Sequence, residues 1–229
     1  MIKHHPKFTL LKSFVDGDLP ASLAAGVAMH ADMCPICQQK ILQLTDQVAE
    51  AIFEQDLLGE TNITENETSF EASQMSFDDI INNITASDDI APAKVMPSER
   101  LITFKGMKYT LPNTLRNMDL GRTAQIGKLS RARINLGEGE IHTNLLHIGP
   151  GGSIPEHTHK GFELTLLLAG TFADDQGEYV AGDFIMLDKR HQHQPATEKG
   201  CLCYTVANDA LHFTQGINKL LNPIGAFIY

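Results

Sequence analysis

The chain has 229 residues, room for one large domain or two small ones. Its 28 acidic and 18 basic side chains give a formal net charge of -10, which argues against a direct nucleic-acid partner, because phosphate binding needs a basic surface. Four cysteines are too few for a disulfide-framed secreted scaffold, and no apolar run reaches the length of a membrane span, so the reducing cytoplasm is the expected location. The short apolar run Phe8 to Leu11 is broken by Lys12, too short for a signal-peptide core.

Residues 7–16 place Phe8, Leu10, Leu11, Phe14 and Val15 at amphipathic helical spacing, and Asp16-Gly17 ends the pattern. A second helix starts at Asp18-Leu19-Pro20, with the proline tolerated in the first turn. It carries Leu23, Ala24, Val27 and Ala28 toward His30. Pro35 disfavours helix at Cys34 and suits a helix start, so a turn is expected there and a third helix after it. Ile36, Ile41, Leu44, Val48, Ile52 and Phe53 form that helix's stripe, which reads mostly as core of a small bundle.

The junction between these helices holds His30-x3-Cys34-x2-Cys37. One imidazole and two thiols brought together across a turn are most of a tetrahedral Zn²⁺ site, which needs a fourth ligand from elsewhere. His4 and His5 are the candidates to close it. A redox Cys-x-x-Cys is the competing reading, but no βαβ context surrounds this one.

Residues 59–98 are rich in Glu, Asp, Asn, Ser and Thr, with Lys94 the one basic residue, which reads as a solvated linker. One island interrupts it: Ser76 caps a helix carrying Phe77, Ile80, Ile81 and Ile84. That helix has too little core of its own and must dock on the first three helices or on a partner. Pro92 and Pro97 mark a boundary, giving a helical segment 1–86, a linker 87–100 and a β segment 101–229.

From Leu101 onward, short apolar runs alternate with Gly, Pro and Asn turns at about ten-residue spacing, the pattern of a sandwich or jelly roll. Within it His157-x-His159-x3-Glu163 offers two imidazoles and a carboxylate, a donor set for a divalent metal of the Zn, Fe, Mn or Ni group. Gly151-x5-His157-x-His159-x3-Glu163-x6-Gly170 matches the first motif of the cupins, and Gly182 with His193 resembles the second. That motif's Pro, Gly and final Asn are Asp188, Arg190 and Thr197 here, and His191 competes with His193 as fourth ligand. Cys201 and Cys203 share one face of a later strand, either as two small buried hydrophobes or as a thiol pair.

A helical zinc module joined by an acidic linker to a cupin resembles the zinc-binding anti-sigma factors of the ChrR type. The resemblance rests on the early His-His, His30-x3-Cys34-x2-Cys37, the isolated helix near 76–85, the full first cupin motif, and the run from Glu198 to Cys203. It implies an α+β multidomain chain: a small all-α, zinc-stabilised domain followed by an all-β cupin, a double-stranded β-helix or jelly roll. It implies Zn²⁺ on His5, His30, Cys34 and Cys37, with His4 second choice to His5. It also implies Zn²⁺ or another divalent metal on His157, His159, Glu163 and His193. The implied partner is an extracytoplasmic-function-type sigma factor, held by the helical half and released through the cupin half on singlet oxygen or organic peroxide. A homodimer through the cupin is a further expectation. Two rival readings stand beside it: a metal-dependent cupin enzyme, a dioxygenase or isomerase with Lys160, Lys189 or Arg190 near its substrate, and a small-molecule-binding regulator with no sigma partner.

Overall fold

The structure is a computed structural model, and the described residues are 1–58, 76–87, 99–159, 161–208 and 212–213. The linker stretches 59–75 and 88–98, with Lys94, Pro92 and Pro97, lie outside them, as does Lys160. Packing groups Met1–Glu50 with Glu99–Tyr229 in one compact unit and Ala51–Ser98 in a second. The division at 86 and 100 follows composition along the chain.

Three helices open the chain: α1 (Phe8–Asp16), α2 (Ala21–Met33) and α3 (Pro35–Leu58). Gly17 ends α1 in the left-handed conformation that a residue without Cβ adopts most cheaply. Pro20 flanks α2, and Cys34 takes an extended conformation between α2 and the proline that starts α3. The α3 stripe departs from the expected core. Leu44 is buried and Ile41 half-buried, but Ile36, Ile52 and Phe53 are 68%, 56% and 72% exposed. In the second unit, α4 (Phe77–Thr85) is opened by a capping box in which Ser76 and Asp79 exchange hydrogen bonds. Its Phe77, Ile80, Ile81 and Ile84 are all exposed.

The rest is antiparallel β. A hairpin of β1 (Leu101–Phe104) and β2 (Met107–Thr110) comes first. The main sheet runs β3 (Leu120–Ile126), β4 (Leu129–Ile134), β5 (His142–Ile148), β13 (Cys201–Ala207), β8 (Phe162–Asp174), β12 (Ala196–Thr197) and β6 (Gly152–Ser153). Two further strands, β9 (Gly177–Val180) and β10 (Phe184–Asp188), also pair with β8. A small sheet joins β11 (Gln192–His193), β7 (His157–Thr158) and β14 (His212–Phe213).

The pleat gives the main sheet two apolar faces. One face buries Ala132, Ile134, Leu164, Leu166, Tyr204 and Val206 in the same core as Leu11, Leu23, Val27 and Met29 of the helices. The other lines the barrel interior with Leu146, Ile148, Leu167, Ile185, Leu187, Cys201 and Cys203. Small residues let α2 approach closely: a Cβ on Gly26 would stand 2.6 Å from Leu164. The Tyr204 hydroxyl donates to the Ser22 carbonyl at 2.8 Å. The helical layer therefore completes its core on the back of the sheet whose opposite face carries the second histidine cluster.

Candidate metal centres

Among the described residues, two groups bring ligand atoms within 4.8 Å of one another: His5, His30, Cys34 and Cys37, and His157, His159, Glu163 and His193.

The first group is assembled from three short pieces. The α2–α3 junction sets the two thiols on either side of Pro35, and the last full turn of α2 carries His30. The N-terminal arm delivers His5, whose Nδ1 lies 3.4 Å from Cys34 Sγ and 3.5 Å from Cys37 Sγ. His4 is outside this group and packs tilted against Tyr179, ring centroids 4.8 Å apart. The arm is pinned from outside. Lys3 and His4 N–H donate to Asp183 Oδ1 at 2.7 and 2.9 Å, and Phe184 N–H donates to the His4 carbonyl at 3.0 Å.

His30 is fully buried, and its Nδ1 sits 2.7 Å from the Gly182 carbonyl. A carbonyl only accepts, so Nδ1 carries the proton and Nε2 presents a lone pair, which is buried and has no hydrogen-bond partner. That is the tautomer a metal-binding imidazole adopts when its other nitrogen is held by the backbone. Burial lowers the His30 pKa, partly offset by the Gly182 bond, which keeps the ring neutral. Burial and then the neighbouring Cys34 push the Cys37 thiol up to about 11. A bound divalent cation reverses that by deprotonating its thiols. Two thiols, an unpartnered buried imidazole nitrogen and a second imidazole suit Zn²⁺.

The second group is built on the sheet. β7 brings His157, β11 pairs with it and brings His193 directly opposite, and β8 carries Glu163. The imidazole Nε2 atoms converge: His193 to His157 at 2.9 Å and His159 to His193 at 3.4 Å. Glu163 Oε2 is 2.6 Å from His159 Nε2 and 3.6 Å from His193 Nε2. All four residues are buried. Outer partners orient them: His157 Nδ1 donates to the Pro155 carbonyl at 2.8 Å, and His193 Nδ1 lies 3.5 Å from Asp174 Oδ2. Thr165 Oγ1 donates to Glu163 Oε1 at 3.3 Å.

The electrostatics fit a cation. Burial, then His193, pulls the His157 pKa down to about 3, so its ring is neutral and ligand-ready. Burial would raise the Glu163 carboxyl, but His159 and His193 outweigh it and hold the group ionised. Burial would lower His193, but Glu163 and then Asp174 raise it. Three imidazoles and one carboxylate suit a borderline divalent metal. Beside them the cavity measures about 30 Å³, lined largely by Leu146, Ile148, Ile154, Phe172 and Leu187.

Of the sequence alternatives, His191 bonds Asp188 Oδ1 at 2.9 Å and stays out of the second group. Arg190 pairs with Asp188 at the surface. Thr197 stands where the cupin motif has Asn; its hydroxyl donates to the Thr171 carbonyl and accepts from Gly200 N–H. Cys201 and Cys203 are buried free cysteines in the barrel interior, and Cys203 lines the same small cavity. Of the outer residues, Gly182 stood out as the glycine of the second cupin motif, whereas Asp174 and Asp183 carry no ligand spacing.

Residues 119–210 match the family described as the ChrR Cupin-like domain. The chain is 28% identical to the anti-sigma-E factor ChrR of Cereibacter sphaeroides over 224 residues, 97% of each chain. The crystal structure of Rhodobacter sphaeroides SigE in complex with the anti-sigma ChrR matches with a TM-score of 0.60 at 25% identity. That match covers 90% of this chain and 99% of that one.

Proposed function

Starting from a chain that resembles ChrR-type anti-sigma factors along nearly its whole length, we propose that this protein is an anti-sigma factor for an extracytoplasmic-function-type sigma factor. The observation that carries the reading is the end-to-end match to a protein crystallised with its sigma factor. The exposed apolar faces add to it. A nine-residue helix presenting Phe77, Ile80, Ile81 and Ile84 outward, with Ile52 and Phe53 exposed on α3, suits helix-in-groove recognition of a protein partner.

In this reading His5, His30, Cys34 and Cys37 hold a structural Zn²⁺ that fixes the helix junction and the N-terminal arm. His157, His159, Glu163 and His193 hold a second divalent metal. The segment from 1 to 86 inhibits and the segment from 101 to 229 senses. An oxidant such as singlet oxygen or an organic peroxide is the release signal, and the cytoplasm is the site of action. No helix among the described residues is long and apolar enough to cross a membrane.

The rival reading, a cupin dioxygenase or isomerase, needs room for a substrate at the metal. The interior cavity of about 30 Å³ takes one or two waters, and the roomier space of about 210 Å³ beside His193 is a hollow lined by Glu156, Asp174, Asp175, Gln192 and Gln194. The test is transcription from a sigma-dependent promoter with a cognate extracytoplasmic-function-type sigma factor and core RNA polymerase. Stoichiometric full-length chain should suppress it, and gel filtration should recover a one-to-one complex. Undiminished transcription with no complex formed would refute the reading.

A further inference from the structure

The two centres share a support. The consecutive strands β9 and β10, both laid antiparallel along β8 and joined by a short turn, touch both, and each contact is an outer one. At that turn, the Gly182 carbonyl fixes His30 through Nδ1 at 2.7 Å. The Asp183 carboxylate accepts from the N–H groups of Lys3, His4 and Val180. Phe184 N–H donates to the His4 carbonyl, one residue from the ligand His5. On β9, Tyr179 packs its ring on His4. The Tyr179 hydroxyl lies beside Asp174, whose carboxylate faces His193 Nδ1.

We propose that this β9–turn–β10 segment couples the two centres, so that a metal ion on His157, His159, Glu163 and His193 tightens metal binding on His5, His30, Cys34 and Cys37. This rests on the reading of both clusters as metal centres. The line runs from His193 through Asp174 and Tyr179 to His4 and His5, and in parallel through the turn to His30.

The physical cause is ordering. A metal on His193 Nε2 fixes that ring, and Nδ1 then holds Asp174 in one position. Asp174 holds Tyr179, and the tyrosine ring seats the arm that delivers His5. The thiolate centre gathers its ligands from an arm, a helix end and a turn, so prior ordering of the arm lowers the entropic cost of closing it. Loss of the cupin metal loosens the arm, which is the direction release of a helical clamp requires. Gly182 is fixed in this role. It has a φ of +96°, and a Cβ there would run into Ile2.

Two metals of different taste separate the centres. Mn²⁺ takes imidazole and carboxylate but not thiolate, and Co²⁺ on thiolates gives a charge-transfer band that only the first centre produces. The full chain is held in saturating Mn²⁺, and Co²⁺ affinity is read from that band by chelator competition. Glu163→Ala, which disables the second centre, should weaken Co²⁺ at the thiolates about fivefold, within the usual range of coupling between sites. In a Tyr179→Phe or Asp174→Asn background the same Glu163→Ala step should change nothing. Tyr179→Phe keeps the ring and the fold, so its effect reports the hydroxyl link alone. Equal Co²⁺ affinity with and without Glu163→Ala overturns the coupling, as does a fivefold step that survives both background changes. Absence of any thiolate band overturns the metal reading and the coupling together, so the two failures are distinguishable.

Discussion

The two histidine clusters lie on opposite sides of one sheet and are made in opposite ways. The cupin cluster is positioned by strand register: His157 faces His193 across a paired ladder, and all four residues are buried, with outer hydrogen bonds on His157 and Glu163. The thiolate cluster is gathered from a chain terminus, a helix end and a proline turn. The difference teaches where a metal's binding energy goes. In the sheet a metal would fill a site the fold already holds, whereas at the helix junction it would supply part of the fold.

The contrast breaks most visibly at the thiols. Cys34→Ala or Cys37→Ala should remove the zinc and free the arm and the start of α3, lowering sigma affinity by more than about 100-fold. Calorimetry on the purified chain checks this, and a Cys37→Ala protein with full affinity would refute a structural metal there. The partner face comes next. Ile80→Asp with Ile84→Asp should cost about 2 kcal/mol or more, roughly 30-fold in affinity by the same titration, with metal content unchanged. Glu163→Ala should leave the fold standing, weaken basal inhibition by no more than about fivefold and abolish the further release by singlet oxygen or peroxide, read in the transcription assay. If that variant unfolds, the cupin centre is structural too and the comparison collapses.

The smallest effect is at Asp183. Burial would raise its carboxyl, but the N–H groups of Val180, His4 and Lys3 hold it below the ordinary value. Asp183→Asn leaves those donors poorly satisfied and should cost about 2 kcal/mol, measured by denaturant melts. A depressed folded pKa stabilises above the unfolded value of about 3.9, and the stabilisation fades as pH falls through the folded value. The gap between wild type and Asp183→Asn should therefore be flat from pH 7 to about 5 and close below about 4.

Much of this architecture was legible because it rests on local chemistry. Asp16-Gly17 and Pro35 stop and start helices by backbone sterics, and α1, α2 and α3 begin and end within a few residues of those marks. The ligand spacings in both clusters were legible because few side chains bind metals. The residues alone did not separate His5 from His4; the resemblance put His5 first, and the structure groups His5 with the thiols while the arm pairs with Asp183 and Phe184. The stripe on α3 misled for a related reason. Periodicity says that a helix has an apolar face, not what covers it, and Ile36, Ile52 and Phe53 are exposed. Docking of α2 on the sheet was also hidden. Gly26, Ala25 and Ser22 are small for close approach, and small residues carry weak hydrophobic periodicity. The outer contacts of Gly182 are made by backbone, which leaves no trace in side-chain patterns.

Metal stoichiometry of the full chain tests the two-centre claim most directly. Purified protein should carry two divalent ions per chain. Cys34→Ala with Cys37→Ala should remove one, and Glu163→Ala the other. Retention of both ions by the double cysteine variant, or thiols that stay free to alkylating reagent in the wild type, would contradict it.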